Sequence, residues 1–275
     1  MDPIRRRVAA VLLCGLLPAA LPAVPAGAAT ASAAAVPLAA HDAAYDLSLA
    51  STHGGGTVAA NGSMTFGIAD TCDGWAARQV LHLQMVTREG QNTDLTSSYA
   101  TLESKDGRHL SFEMQQREGS NMALHVRGDA SLNPDGTGEA RYVLPEPRTT
   151  KLPRGTLFPM AHTAAVIAAA EHGDKSASFP LFDGTGPDGA SDTYVTVLDW
   201  HAPPSDSSYP PLAKLPSGRV HVAFFARKPG TITPDYEVGM RYFANGVSDR
   251  MVMDFGDFTM TGALRTFALA KPAKC

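Results

Sequence analysis

Nine histidines, at positions 41, 53, 82, 109, 125, 162, 172, 201 and 221, are the first residues to test for chemistry. No two stand at the helical i, i+4 spacing of a zinc protease, and no Cys-x-x-Cys accompanies them. His162 draws most interest, because it lies inside an apolar stretch. It reads as a buried base or ligand, or more plainly as a core histidine bonded to backbone. His172 falls where a helix would end and suits the negative end of its dipole. Asp73, Asp183 and Asp199 are conceivable paired acids, but Asp73-Gly74 and Asp183-Gly184 read more simply as turns. Asn133, Asp135 and Glu139 faintly resemble a calcium loop. The acidic residue needed at its twelfth position is missing, and a hairpin turn accounts for the same residues. The Gly-x-Ser-x-Gly elbow, the dinucleotide fingerprint and the phosphate-binding loop are all absent from the sequence. Trp75 and Trp200 could line a glycan or lipid groove, or simply pack. The ten methionines read as an adaptable apolar surface or as ordinary core filling. No metal, cofactor or catalytic residue is expected.

The element that must organise these residues is Leu152 to Gly173, LPRGTLFPMAHTAAVIAAAEHG. A helix is expected over 157–172. Pro159 suits its first turn, Thr156 is a candidate cap, and Gly173 is a candidate stop. Met160 to Ala170 is apolar or small on nearly every face, the mark of a buried helix. At about 1.5 Å per residue it makes a rod of roughly 20 Å, too short to span a membrane.

Around that helix the chain reads as about 12–14 short strands, counted by period-2 alternation and turn signals. Trp75 to Thr87 is a long strand candidate. Asn61-Gly62 reads as a bulge or turn, Pro145 to Pro153 as an extended link, and Pro203 to Pro216 as a proline-rich loop. The pattern predicts an antiparallel barrel-like or sandwich-like sheet enclosing the helix.

Residues 1–35 read as a signal peptide and Ala-rich leader. Arg5, Arg6 and Arg7 precede the apolar run Val8 to Leu17, and cleavage is expected between Ala28 and Ala35. Three prolines and a short apolar run argue against a retained anchor. Leu13 is a poor match for a lipoprotein signal at Cys14. Loss of the leader takes the net charge from −4 to −6. A mildly acidic chain lacks the clustered cations that nucleic acid or anionic lipid would require. Residues 36–275 are expected to form a single domain.

Two cysteines then remain, Cys72 and Cys275. An even count in an exported chain suggests a disulfide, closing a loop of about 200 residues worth up to about 5 kcal/mol in the chain-entropy model. Two free thiols are the alternative.

Cys72-Asp73-Gly74-Trp75, the run from Leu152 to Thr163, Pro180-Leu181-Phe182-Asp183-Gly184 and Cys275 together carry a resemblance. The chain resembles the EipB-type cell-envelope integrity proteins, a periplasmic family of proteobacteria once classed as a domain of unknown function. The resemblance covers essentially all of residues 43–275. It implies a many-stranded β-spiral, an open barrel-like sheet wrapped around one central buried α-helix, with Cys72 paired to Cys275. It implies a periplasmic, non-enzymatic protein that supports envelope integrity through protein–protein interaction. Its expected partners are envelope or periplasmic proteins, helical-repeat scaffolds among them, and not nucleic acid. The alternative is a carrier or sensor of lipid or lipoprotein acyl chains.

Overall fold

The structure, a computed structural model, describes residues 36–54, 56–271 and 273–275. The expected signal peptide lies outside these residues. The chain first runs through β1 (His41–Thr52), β2 (Thr57–Asp70), β3 (Gly74–Thr87), β4 (Asn92–Ser104), β5 (His109–Glu118), β6 (Asn121–Leu132), β7 (Gly138–Leu144) and β8 (Arg148–Leu152). Helix α1 (Pro159–His172) follows. The chain then continues through β9 (Ser176–Leu181), β10 (Ser191–Val197), the one-turn α2 (Pro210–Ala213), β11 (Ser217–Ala226), β12 (Tyr236–Phe243), β13 (Ser248–Asp254) and β14 (Phe258–Leu269).

All fourteen strands form one antiparallel sheet in the order β8-β7-β6-β5-β4-β3-β2-β1-β14-β13-β12-β11-β10-β9. The architecture is therefore the open barrel-like sheet, and the sandwich alternative is set aside. The chain meanders from the centre to one edge, crosses through α1 to the opposite edge, and meanders back. β14 joins the two halves of the sheet by pairing with β1, from His41↔Leu269 to Thr52↔Phe258. A sheet this wide must curl, because its twist accumulates strand by strand. Bulges at Ala50 of β1, Val58 of β2, Ala123 of β6, Val143 of β7 and Arg265 of β14, with an irregularity between β12 and β13, sharpen the bend.

The curl brings the sheet's ends together. Phe182, just past edge strand β9, packs edge-on against Phe112 of β5 at 5.3 Å and near Tyr142 of β7 at 6.3 Å. Leu157 pairs in parallel with Leu181 across the seam. Two apolar clusters fill the concave side. One joins Val166 and Ala170 of α1 to inward residues of β1, β2, β3 and β10 to β14. The other joins Phe158, Phe182 and Leu152 to Leu110, Phe112, Val126 and Tyr142.

The helix forms as expected at its C-terminus, where Gly173 takes φ +90 and its N–H bonds back to Ala169 and Ala170. No residue from Pro159 to Ala170 is exposed. Its start differs from the expected 157. Leu157 and Phe158 are extended, since Pro159 disfavours the helical region for the residue before it. Thr156 is not a cap, because its hydroxyl donates to Pro153 O at 2.7 Å.

Three other expectations are corrected. Asn61-Gly62 is neither bulge nor turn but mid-strand, where Asn61 pairs with both Ser48 and Gln84. Glycine is needed there for close approach: a Cβ would stand 2.0 Å from His82 O. The Pro145 to Pro153 link contains edge strand β8, because its prolines flank Arg148–Leu152 and leave those N–H groups free to pair with β7. The proline-rich loop contains α2, whose Leu212 is fully buried on the convex face with Phe243 and Val247.

Candidate functional site

The concave face beside α1 is the candidate site. Alternation along β3, β4, β5 and β6 aims Leu81, Leu83, Met85, Leu95, Met114 and Leu124 inward. Leu83 is buried, but the other five stay half-buried although they face the inside. This leaves an apolar lining that the helix and core incompletely cover.

At the other end of β4 the inward row turns polar: Ser97, Tyr99, Thr101, Glu103. Tyr99 donates its hydroxyl to Asp183 O, and burial pushes that hydroxyl well above the ordinary phenol range. Thr101 is buried, and its hydroxyl has no hydrogen-bond partner among the described residues. Glu103 is 1% exposed. Its carboxylate accepts the N–H of Met160 at 2.7 Å and of Ala161 at 2.9 Å. These are first-turn donors of α1 that no local side chain caps. Burial pushes the Glu103 carboxyl up to about 7, against the downward pull of those two N–H groups.

His162 belongs to the same interior. Its Nε2 lies 2.9 Å from Thr193 Oγ1, which in turn donates to Phe179 O. It is therefore bonded through a threonine hydroxyl rather than directly to backbone as expected. Burial lowers its pKa to about 4, so the ring is neutral.

The other residues singled out in the sequence are scattered. Asp73 is exposed in the β2–β3 turn. The Asp183 carboxylate accepts two hydrogen bonds from Thr185, and burial raises its pKa. Asp199 pairs with Arg219 on the surface. The three acids are not brought together as a pair. Asn133 and Asp135 bond to Thr137 inside the β6–β7 hairpin, and Glu139 pairs with Arg141. His172 is exposed and bonds to Asp174 at 2.9 Å. Trp75 carries the Lys105 ammonium 3.3 Å from its ring centre, and Trp200 packs against the main core. Met64, Met160, Met251, Met253 and Met260 are core filling, whereas Met85 and Met114 line the concave face.

Cys72 and Cys275 form a disulfide with Cα atoms 5.8 Å apart. Cys72 sits at φ 70 in the tight β2–β3 turn, its N–H donating to Asp70 at 2.9 Å.

Sequence reasoning missed Glu103. The available signal was its phase: along β4 the positions that carry Leu95, Tyr99 and Thr101 also carry Glu103, so a carboxylate stood in the inward register. It also missed the buried pair of Arg241 and Asp249, adjacent across β12 and β13, which Asp206 extends from the proline-rich loop.

Comparison with known proteins adds three findings. The chain matches the EipB-like family over residues 32–271. It is 32% identical over 247 residues to the cell envelope integrity protein EipB of Brucella abortus, covering 87% of this chain and 86% of that protein. It also superposes on the crystal structure of a β-barrel-like protein of a domain of unknown function from Brucella abortus, with a TM-score of 0.78 and 28% identity. That match covers 86% of this chain and 100% of the other. The whole length of the fold, from the β1 region to β14, is shared, and the chain belongs to the EipB-like family.

Proposed function

We infer that this protein is exported to the periplasm and supports cell-envelope integrity by binding other envelope proteins, without turning over a substrate. The observation that carries the reading is the 32% identity, over most of both chains, to a relative named for that role. The Cys72–Cys275 bridge supports an oxidising compartment. Two measurements test it. Loss of the gene should sensitise cells to detergent, and the wild-type gene should restore resistance. Crosslinking in intact cells should capture a specific envelope protein. Unchanged detergent resistance, or capture of no specific partner, overturns the reading.

A second reading is a carrier or sensor of acyl chains. It is favoured by the half-buried inward side chains Leu81, Met85, Leu95, Met114 and Leu124, an apolar lining of the kind small ligands use. Native mass spectrometry of the periplasmic protein should find co-purified lipid. Consistent absence of lipid, with no binding of a fluorescent fatty acid, would sink this reading.

A further inference from the structure

The proline-rich strap between β10 and β11 lies on the convex face and carries Asp206. Its carboxylate spans two guanidinium groups. Oδ1 accepts from Nη1 of Arg241 on β12, and Oδ2 accepts from Nη2 of Arg250 on β13. Arg241 is held from its other side by Asp249, which accepts from its Nε at 2.7 Å. Arg250 pairs with no other carboxylate among the described residues.

Arg250 holds its place through a strained backbone. The register between β12 and β13 slips here: Gly239 stands opposite Val252 and Arg241 opposite Asp249, so Arg250 and Met251 together face Met240. Arg250 takes φ +52, a left-handed position that such a bulge ordinarily gives to glycine. Bulges re-aim side chains, and this guanidinium stands at a depression of about 440 Å³ walled by Ser207, Ser208, Val252, Thr261 and Leu264. The side chains of Asp206 and Arg250 are 64% and 59% exposed. The strap does not depend on Asp206 for its seat. The Tyr209 hydroxyl donates to Arg265 O at 2.6 Å, and Leu212 is buried with Phe243 and Val247. The Asp206 side chain therefore has room to turn into solvent while the strap stays in place.

We propose that Asp206 is an internal plug in a carboxylate-binding site: when it turns away, Arg241, Arg250 and the adjoining depression receive an acidic segment of a partner polypeptide. The proposal rests on the reading that this protein binds other envelope proteins, and it names the chemistry of the segment bound. A carboxylate already bridges the two guanidiniums, so the geometry accepts that group. The charge balance calls for one more anion: with Asp206 turned out, Arg241, Arg250 and Asp249 sum to +1. Displacement is easy, because the Asp206–Arg250 pair is exposed on both sides and exposed pairs contribute little. Val252, itself 44% exposed, and Leu264 give the depression an apolar wall. A peptide with apolar residues beside its acids covers that wall, and a free inorganic anion does not.

Calorimetric titration of the purified, oxidised protein with a capped peptide of alternating Asp and Leu tests this, beside the same peptide with Asn for Asp. Asp206→Ala should bind the acidic peptide about fivefold tighter than wild type, because the competing plug is gone. Arg250→Gly, which puts the favoured residue at the bulge, should abolish binding, and the Asn peptide should not bind. Equal affinity of wild type and Asp206→Ala, or undiminished binding by Arg250→Gly, overturns the plug. Binding of phosphatidylglycerol vesicles in place of the peptide overturns it too. The Arg250 Nε NMR signal of the wild-type protein decides the matter without a variant. Saturating peptide should shift it, and an unmoved signal overturns the site. These measurements use purified protein, so they decide the site whether or not crosslinking in cells captures a partner.

Discussion

Glu103 accepts the amide N–H of Met160 at 2.7 Å across 57 positions of sequence, so a strand in one half of the sheet caps the helix that joins the two halves. Removing that acceptor leaves one buried and one half-buried N–H donor, those of Met160 and Ala161, unpaired. Glu103→Ala should cost about 3 kcal/mol or more, since each orphaned buried donor costs about 1–3 kcal/mol. Urea melts at pH 6 measure this, and a loss under 1 kcal/mol would show that the helix end finds other partners.

Glu103 and His162 give the fold opposed pH dependences. The raised carboxyl, about 7 when folded, contributes stability at low pH that is lost as pH rises from the ordinary carboxyl range through 7. The depressed imidazole, about 4 when folded, contributes stability above its unfolded value of 6.5 that is lost as pH falls toward 4. Between roughly pH 4.5 and 6.5 the two slopes, each about 1.4 kcal/mol per pH unit, largely cancel. Each substitution should therefore unmask the other group. Relative to wild type, Glu103→Gln should gain stability with rising pH and His162→Gln should lose it. Parallel stability–pH curves for all three proteins would refute the assignment.

The disulfide should act mainly on the unfolded chain and on the tail that follows β14. Cys72→Ser or Cys275→Ser should cost about 2–5 kcal/mol and speed proteolysis after Leu269. Melting temperatures of the oxidised proteins, with timed digests, check this. Unchanged values would show the bridge to be dispensable.

Gly62 permits close approach of β2 and β3. Gly62→Ala puts a Cβ 2.0 Å from His82 O, a backbone atom that cannot swing away. The expected loss is about 3 kcal/mol or more, which belongs to the small class of severe strain mutations. A urea midpoint within error of wild type would mean that the strands can separate locally.

Arg241 and Asp249 are each 7% exposed, whereas the Asp206 side chain that also contacts Arg241 is 64% exposed. Asp249→Ala leaves the buried guanidinium with Asp206, an exposed partner, in place of its buried one, and should cost about 3–5 kcal/mol. Asp206→Ala removes a surface partner and should cost at most about 1 kcal/mol. Equal losses in urea melts would contradict the burial difference.

The strands and the C-terminal end of α1 were legible because their signals are local. Period-2 alternation marks β3 and β4, and a glycine at positive φ marks the stop at Gly173. β8 was hidden because Pro145, Pro147 and Pro153 suggested a link, while the residues that pair are the five between them. The start of α1 was misread because its acceptor is supplied from β4 and not from Thr156. The partner of His162 was equally remote, Thr193 on β10. Local pattern predicts which residues face inward. It does not say which strand a helix will meet once a fourteen-stranded sheet has curled.

The pairing of β1 with β14 has a consequence for how the chain acquires its shape. β1 to β8 and β9 to β14 are two runs of neighbouring hairpins, each assembled from local contacts that form quickly. The joint between them is made by the first and last strands, so it must wait for the entire chain. Until then β1 presents one free edge, a template for pairing with other molecules. A chain delivered N-terminus first would carry that open edge through most of its emergence. The hazard in its biogenesis is thus a half-built sheet that finds the wrong neighbour before its own last strand arrives.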